Sequence, residues 1–325
     1  MRFIDAETIE AHLAYPDLVD VLEIAFRHDV MAPPRHHHTV PLDARPAATW
    51  LLMPAISAAK GADGTLVAGP YMGMKSVTVF RDNAARSGKP AIAGMYLLLS
   101  TETGETLAIL DATRLTAWRT AAASALAARY LARADTTRML MVGAGALAPY
   151  LIRAHASVRP LTDVMVWNRT RGGSEKIVAA FAGSRLRVNV VDDLEAAARS
   201  ADLISTATIS TKPLVLGAWL KPGTHVDSVG AFRADMRETD DALVAAARVY
   251  VDTRAGAFGE AGDILQPIKS GVIEKNHVLG DLAELVSGTV AGRSNASDIT
   301  FFKSVGASIE DLAAAIAVYE RCRSA

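Results

Sequence analysis

The chain has 325 residues, half of them hydrophobic and 21% charged, and its formal net charge is −1. That length allows two globular domains or one large one, and the balanced charge excludes the broad basic surface that binds nucleic acid or an anionic membrane. The single cysteine, Cys322, rules out an internal disulfide and predicts a reducing, cytoplasmic location. Residues 1–7 lack the apolar core of a signal peptide, and no run of about 18 apolar residues predicts a membrane span.

The first third of the chain predicts a mixture of helices and antiparallel strands. Residues 6–29 show apolar side chains at helical spacing, with Thr8 as the expected cap and an interruption near Pro16. Residues 36–38 are three histidines that follow two prolines, so they must be extended, and neighbours there point to opposite faces. We therefore expect a polar edge segment and no metal site. Strands are predicted at 49–53, 73–80 and 95–99, and a long helix at 111–134.

Two cations in this region are candidates for binding or catalysis. Lys75 is the only cation within an apolar strand run, so its side chain faces either solvent or a cleft. Arg119 precedes Thr120 and a series of small residues that allow close approach of another group, and its guanidinium suits a carboxylate. The alternative for both is an ordinary surface position, on the outer face of a strand or of an alanine-rich helix.

A strand, a glycine turn and a helix follow at residues 138–149. The apolar run 138–142 is typical of a strand buried in a parallel sheet, and Gly143 to Ala148 have the G-x-G-x-x-A form of the dinucleotide fingerprint. Gly143 permits the tight turn, Gly145 lets the backbone approach a pyrophosphate, and Ala148 lets the helix pack closely on the strand. The helix N-terminus offers free N–H groups to that pyrophosphate.

The next strand, residues 164–167, decides which dinucleotide the sequence favours. An NAD site usually carries an acid at the end of this strand, which binds the ribose 2′-OH. Here the strand ends in Asn168, Arg169 and Thr170, with Arg171 next and no carboxylate. A guanidinium with small hydrogen-bonding side chains suits a 2′-phosphate, so the sequence predicts NADPH over NADH. The alternative is a solvated strand end whose arginine has no such role.

Helices and strands alternate through the rest of the chain, which predicts a Rossmann-type doubly wound parallel sheet. The predicted helices are 175–182, 193–199 and 308–322, and the predicted strands are 187–191, 202–206, 224–229, 249–252 and 299–302. Ligands bind beyond the carboxyl ends of such strands, so Ser228-Val229-Gly230 and Lys303-Ser304 are candidates. Six acids are possible acid–base groups, although most loop carboxylates are simply solvated: Asp227, Asp235, Glu238, Asp240, Asp241 and Asp263.

These segments together resemble the ornithine cyclodeaminase/mu-crystallin family over essentially the whole chain. The residues that carry the resemblance are Pro34-Arg35, Met53-Pro54-Ala55, Lys75, Asn83, residues 115–122, the glycine turn, Trp167-Asn168-Arg169-Thr170, Ser228-Val229-Gly230-Ala231 and Phe302-Lys303-Ser304-Val305-Gly306. The resemblance implies a homodimer of two-domain subunits. We assign residues 1–118 with 305–325 to an α+β substrate-binding and dimerisation domain, and residues 119–304 to the dinucleotide-binding domain.

The resemblance also implies which residues form the sites. Lys75, Arg35 and Arg119 are expected to surround the substrate, with the arginines on its carboxylate and Lys75 and Arg119 in catalytic roles. The cofactor is expected to contact Asn83, Thr120, Gly143, Gly145, Ala146, Leu147, Asn168, Arg169, Thr170, Thr208, Ser228, Val229, Gly230, Lys303 and Ser304.

One position departs from the cyclodeaminases of the family. They carry an acid–base aspartate two residues past the glycine that matches Gly230, and this chain has Phe232 there, expected to line the substrate pocket. The departure favours an NADPH-preferring reductase of cyclic ketimine carboxylates, Δ1-pyrroline-2-carboxylate or Δ1-piperideine-2-carboxylate, that makes L-proline or L-pipecolate. The alternatives are an ornithine cyclodeaminase, another amino-acid dehydrogenase of the family, and a protein that binds NADPH without catalysis.

Overall fold

The computed structural model describes residues 1–28, 30–43, 45–57 and 69–324. It divides into two compact units, Met1–Arg119 with Ala307–Ala325, and Thr120–Gly306. The division expected from the sequence placed the boundaries after residues 118 and 304. None of the helices described is long and apolar enough to cross a membrane.

The secondary structure consists of short strands and helices that alternate through most of the chain. The strands are β1 (Arg2–Ile4), β2 (Val30–Met31), β3 (His36–Val40), β4 (Ala48–Ser57), β5 (Tyr71–Val79), β6 (Ile92–Ser100), β7 (Thr106–Asp111), β8 (Arg138–Val142), β9 (Asp163–Trp167), β10 (Arg187–Val190), β11 (Leu203–Thr206), β12 (His225–Ser228), β13 (Arg248–Val251), β14 (Val278–Asp281) and β15 (Thr300–Lys303). The helices are α1 (Ala6–His12), α2 (Tyr15–Arg27), α3 (Asn83–Ser87), α4 (Ala112–Leu131), α5 (Ala148–Val158), α6 (Arg171–Ala180), α7 (Leu194–Ser200), α8 (Asp241–Ala246), α9 (Arg254–Glu260), α10 (Gly262–Lys269), α11 (Leu282–Val286) and α12 (Ser308–Ser324).

The first unit is a sheet with helices on one face. Its strands lie in the order β1-β7-β6-β5-β4-β2, with β3 also paired to β4. Only β1 and β7 pair in parallel; the other pairs are antiparallel. Helix α12 packs against α2 and against β4, β5 and β6, and its residues from Ser308 to Tyr319 are buried. The C-terminal helix therefore forms part of the core of the unit that begins the chain.

Two predictions for this unit were wrong in detail. The single helix expected at 6–29 is two helices, since α1 ends at His12 and α2 begins at Tyr15 with Pro16 in its first turn, where a missing N–H costs nothing. Asp29 lies outside the described residues. The cap of α1 is Asp5, whose carboxylate accepts a hydrogen bond from the backbone N–H of Thr8 at 2.9 Å. Thr8 therefore donates to the cap and does not form it.

Strand β4 is longer than the predicted 49–53 because Pro54 does not end it. Strand β3 pairs with β4 only up to Leu52, and β2 pairs with it only from Ile56 onward. Pro54 lies in the gap between these partners, where the missing backbone N–H breaks no ladder bond. On its other edge, β4 pairs continuously with β5.

The second unit is an eight-stranded parallel sheet in the order β10-β9-β8-β11-β12-β15-β13-β14. The order reverses between β8 and β11, as in a Rossmann sheet, and a dinucleotide binds at such a switch point. Apolar strand side chains, among them Leu140, Ile204, Val226 and Phe301, form its core. The predicted α/β fold class is confirmed.

Candidate functional site

Lys75 is buried inside the first unit, in contact with an acid from the last helix. Its side chain is 2% exposed, and on β5 it lies opposite Met53 of β4 and Tyr96 of β6. Its Nζ lies 2.9 and 2.7 Å from the two carboxylate oxygens of Asp311, and 3.4 Å from Oγ1 of Thr116. The strand alternation places Lys75 on the face that α12 covers. Of the two orientations left open by the sequence, outward to solvent is excluded.

Arg119 joins the same cluster from α4. It is 4% exposed, its Nε donates to Oδ1 of Asp311 at 2.8 Å, and its Nη1 donates to Oε2 of Glu310 at 2.7 Å. One carboxylate, that of Asp311, thus binds both cations. These bonds use only part of the guanidinium's donor set, and the described residues supply no further hydrogen bond to it. Donors therefore remain for an anionic ligand.

The charges of this cluster control the proton on Lys75. Burial, followed by the positive charge of Arg119, lowers the pKa of Lys75 to about 8, while Asp311 opposes the shift and Arg35 adds to it. Arg35 is thus close enough to act on Lys75. Burial also lowers the pKa of Arg119, but the charges of Asp311 and Glu310 outweigh it and raise the pKa overall. Lys75 is the member of the cluster that exchanges a proton near neutral pH.

The cluster as a whole carries excess positive charge. When all of its groups are ionised, three cations (Arg35, Lys75 and Arg119) face two carboxylates, and both carboxylate side chains are 0% exposed. A small anion would neutralise the remaining charge at low dielectric, where the attraction is strongest. The arrangement can therefore bind a monoanion and supply a proton beside it.

The two acids of the cluster were missed in the sequence analysis. Glu310 and Asp311 lie in a helix read only for its apolar spacing, and they contact Arg119 across 191 and 192 residues of sequence. A signal was present, because two adjacent acids stand in the first turn of an otherwise apolar, alanine-rich helix. Buried acids of this kind are rare without partners, so they indicate a cation elsewhere in the chain.

In the second unit, the glycine turn has the geometry of a dinucleotide site. Gly143 has φ of +106°, and a Cβ there would lie 2.7 Å from the carbonyl oxygen of Ala207. At Gly145, which is exposed, a Cβ would meet nothing within 4 Å, so the space above the turn is open. Ala148, which begins α5, is fully buried. The turn fits a pyrophosphate, since backbone N–H groups at the start of α5 border open space.

The end of β9 carries one unpaired arginine. Asn168 donates from Nδ2 to the carbonyl oxygen of Thr170 at 2.9 Å, which closes the turn into α6. Arg171 pairs with Glu175 and with Asp192, whereas exposed Arg169 has no ion pair with any residue that the structure describes. Of the two arginines, only Arg169 is available to a ligand.

A second buried ionic cluster lies beyond β11, β12 and β15. Glu238 accepts hydrogen bonds from the hydroxyls of Thr206 and Ser228 and from the backbone N–H of Thr208, at 2.7–2.9 Å. Lys303 is 0% exposed; its Nζ donates to the carbonyl oxygen of Gly230 and lies 3.5 Å from Asp263. Burial raises the pKa of Glu238, which the nearby charge of Lys303 opposes.

This second cluster supports the backbone of predicted cofactor positions. Asp263 accepts from the backbone N–H groups of Glu238 and Thr239, each at 2.9 Å. A Cβ on Gly230 would lie 2.3 Å from the carbonyl oxygen of Thr208, so the two loops touch there. The ammonium of Lys303 is thus bound by protein groups beneath the turn.

The other predicted site residues fall in both units. Asn83 begins α3 in the first unit and donates to the carbonyl oxygen of Pro90 at 3.2 Å, whereas Thr120 begins the second unit. Phe232, in the second unit, is 40% exposed and follows Ala231, whose φ is +49°. The remaining predicted cofactor residues lie in the second unit: Ala146 is exposed, Leu147 is the N-cap of α5, Val229 is 8% exposed, and Ser304 is fully buried against Asp252.

The other candidate acids have structural partners. Asp227 is buried, and its Oδ2 accepts from Ser205 at 2.7 Å and lies 3.1 Å from Nε2 of His155. Asp240 caps α8 through the backbone N–H of Leu243. Asp235 and Asp241 form ion pairs with arginines. These partners account for all four carboxylates without a ligand.

Together, the switch-point turn and the buried cation cluster define a Rossmann-containing protein equipped for a dinucleotide and a small anion. The sequence model of the ornithine cyclodeaminase/mu-crystallin family matches residues 2–325, and the chain belongs to this family.

Individual relatives and structures share most of the chain. A Δ1-pyrroline-2-carboxylate reductase of Paracoccus denitrificans (strain Pd 1222) is 43% identical over 241 residues, 74% of this chain and 76% of that protein. The structure of the Thermococcus litoralis Δ1-pyrroline-2-carboxylate reductase in complex with NADH and L-proline covers 100% of this chain and 98% of its own, at 30% identity and a TM-score of 0.89. An archaeal alanine dehydrogenase dimer with bound NAD covers 100% and 96%, at 28% identity and a TM-score of 0.88.

Proposed function

We propose that the protein is an NAD(P)H-dependent oxidoreductase that reduces a cyclic ketimine carboxylate, Δ1-pyrroline-2-carboxylate or Δ1-piperideine-2-carboxylate, to L-proline or L-pipecolate. The observation that carries the proposal is the buried cluster of Lys75 and Arg119, with its excess positive charge and its titratable ammonium. Such a substrate presents one carboxylate and one imine nitrogen. The reductases among its relatives support the same chemistry.

The residues of the cluster divide the work of binding and proton transfer. The free donors of Arg119, with Arg35 nearby, bind the carboxylate of the substrate. Lys75 donates a proton to the imine nitrogen, because an iminium accepts hydride far more readily than a neutral imine. A bound nicotinamide supplies the hydride that C2 receives. Lys75 then regains its proton from solvent, so the net consumption is one hydride and one proton for each amine formed.

Phe232 favours a reductase over a cyclodeaminase. A cyclodeaminase of this family needs an acid–base carboxylate two residues past Gly230, and the side chain here is apolar. At 40% exposure, the ring of Phe232 has free surface that apolar ring carbons of a substrate can cover. We propose that it lines the substrate pocket.

For the cofactor, we propose a preference for NADPH. The support is Arg169, which is exposed and unpaired among the described residues at the position where a 2′-phosphate lies, with no carboxylate on the strand tip itself. The two structural relatives named above have NADH or NAD bound, so use of both cofactors is the competing outcome. Comparing kcat/KM for NADPH and NADH decides between them.

We further propose a homodimer formed through the first unit, as the archaeal alanine dehydrogenase forms a dimer. On the sheet face opposite Lys75, one row of paired residues is apolar across five strands: Pro54, Met74, Leu97, Ile109 and Phe3. Phe3 is 77% exposed. A second copy would cover this apolar row. Leu97→Asp should convert the dimer to a monomer in size-exclusion chromatography with light scattering; a wild-type monomer would rule the dimer out.

The direct test of the activity is NADPH oxidation at 340 nm with each of the two imines, repeated with NADH. Turnover with a cyclic imine and none with pyruvate plus ammonia supports the proposal. The reverse pattern would assign the chain to the amino-acid dehydrogenases, a second candidate that the similarity to alanine dehydrogenase favours. Ammonia release from ornithine would instead identify a cyclodeaminase. The cytoplasmic location inferred from the sequence stays a prediction.

A further inference from the structure

Asp311 occupies a central place in the buried cation cluster. Its carboxylate lies 2.7 Å from Nζ of Lys75 and 2.8 Å from Nε of Arg119, and its side chain is 0% exposed. It is the group that links the lysine on β5 to the arginine on α4. The link comes from α12, which packs on both α2 and the sheet.

We propose that Asp311 is a positioning residue for proton transfer: its carboxylate keeps the buried ammonium of Lys75 charged and fixes Nζ beside the guanidinium of Arg119. This inference rests on the proposed reductase activity and assigns a task to a residue that the substrate need not touch.

The surroundings of Lys75 explain why an anion is needed there. Burial and the charge of Arg119 both favour the neutral amine, and Arg35, which precedes β3, acts in the same direction. Tyr96 on β6 is uncharged, because burial and then Asp311 raise its pKa well above the usual value. Thr116 of α4 offers only a hydroxyl at 3.4 Å. Without the carboxylate of Asp311, every charged neighbour of Lys75 named here except Glu310 would favour loss of its proton.

The charged form of Lys75 matters because only it can complete the proton transfer. One N–H bond of the ammonium breaks as an N–H bond to the imine nitrogen forms, and Lys75 is left as a neutral amine. The nicotinamide cofactor supplies the two electrons with the hydride. Asp311 stays ionised throughout, and its negative charge favours return of a proton from solvent to Lys75 before the next turnover.

The adjacent acid provides a matched control. Glu310 is in the same helical turn, is equally buried, and bonds to Nη1 of Arg119 at 2.7 Å. Glu310→Gln removes a negative charge from the cluster but leaves the pair between Lys75 and Asp311 in place. Asp311→Asn removes a charge of the same sign and breaks that pair. A role limited to neutralising Arg119 would make the two variants behave alike.

The experiment is the pH dependence of kcat/KM for Δ1-pyrroline-2-carboxylate in wild type, Asp311→Asn and Glu310→Gln. Ionisation of the substrate affects all three proteins equally, so differences between them report on the enzyme. The wild-type rate should fall as pH rises through about 8, where Lys75 loses its proton. In Asp311→Asn this fall should occur about one pH unit lower or more, which is tenfold in the protonation equilibrium. Glu310→Gln should shift it less.

A second variant covers the case in which Asp311→Asn does not fold, as judged by circular dichroism and by binding of the nicotinamide cofactor. Asp311→Glu keeps the charge and moves the oxygens by one methylene, so kcat should fall at least about tenfold while the alkaline fall stays at the wild-type pH. A kcat within twofold of wild type, or equal shifts in Asp311→Asn and Glu310→Gln, would overturn the inference. No imine reduction by the wild type would instead overturn the proposed function.

Discussion

The two buried ionic clusters differ in what their charges contact. In the second unit, Lys303 is bound by backbone carbonyl, hydroxyl and carboxylate groups, and the hydroxyls and N–H groups around it complete the bonding of Glu238 and Asp263. In the first unit, Arg119 and Lys75 share Asp311 but keep donors that no described residue binds. Burial of charge alone therefore does not distinguish the clusters; the unused donors do.

The difference has a thermodynamic reading. A charged group buried with all its partners fixes local structure, and removing one partner leaves an expensive unpaired charge. A buried charge with spare donors and an excess of one sign is held ready for a ligand of the other sign. We therefore expect mutations in the first cluster to reduce turnover more than stability, and mutations in the second to do the opposite.

Lys75→Ala should give the largest effect and test that contrast most severely. Loss of a general acid costs about a hundredfold to ten-thousandfold in rate, so kcat for imine reduction should fall by that factor. The control is Lys89→Ala, an exposed lysine of the same unit, which should leave kcat unchanged. If Lys75→Ala keeps near wild-type kcat with Δ1-pyrroline-2-carboxylate, Lys75 is not the proton donor.

Lys303→Met tests the other side of the comparison. It leaves Glu238 and Asp263 buried together without their cation, so the free energy of unfolding should fall by about 3–5 kcal/mol. Urea unfolding followed by circular dichroism measures this. A stable variant with normal unfolding and lost activity would show that the second cluster is also a reaction site, and the distinction between the clusters would disappear.

Arg119→Lys sharpens the account of the spare donors. It keeps the positive charge beside Glu310 and Asp311 but removes the planar fork that suits a carboxylate, so KM for the imine carboxylate should rise about tenfold to a hundredfold. Steady-state kinetics at fixed pH provide the measurement, and kcat at saturation should change less than KM. An unchanged KM would mean that the arginine serves only to pair the two acids.

Arg169→Ala should have the smallest effect, confined to cofactor choice. Loss of one charge-assisted contact to a 2′-phosphate should raise KM for NADPH about tenfold and leave KM for NADH nearly constant. Arg171→Ala is the matched control, because that neighbouring arginine is already paired with Glu175 and Asp192. Equal changes for the two cofactors would refute a phosphate-specific role for Arg169.

The sequence was informative where the signal is local. A strand, Gly143, Gly145 and a helix follow one another within a dozen residues, so the dinucleotide turn and the Rossmann class could be predicted from spacing alone. Phe232 was informative in the same way, as a departure at a known place in a motif. The length of β4 could not be read, because Pro54 is tolerated only where two partner strands leave a gap.

The charge clusters could not be assembled from sequence because their members are distant in the chain. Asp311 meets Lys75 across 236 residues and Arg119 across 192. Periodicity indicates that α12 is helical and mostly buried, but it does not say which strand the helix covers. Likewise, Glu238 lies 35 residues or fewer from its partners Thr206, Thr208 and Ser228, yet a parallel sheet brings their strand ends together by topology and not by spacing.

The return of α12 to the first sheet has a consequence for biosynthesis. The strands that hold Lys75 leave the ribosome long before Glu310 and Asp311 are translated, so the nascent sheet exposes cations whose counterions do not yet exist. Until the last helix docks, the first unit lacks both its cover and its charge balance. Premature termination before residue 310 would thus yield a chain in which the dinucleotide-binding unit is encoded in full while the anion-binding cluster has no acidic half.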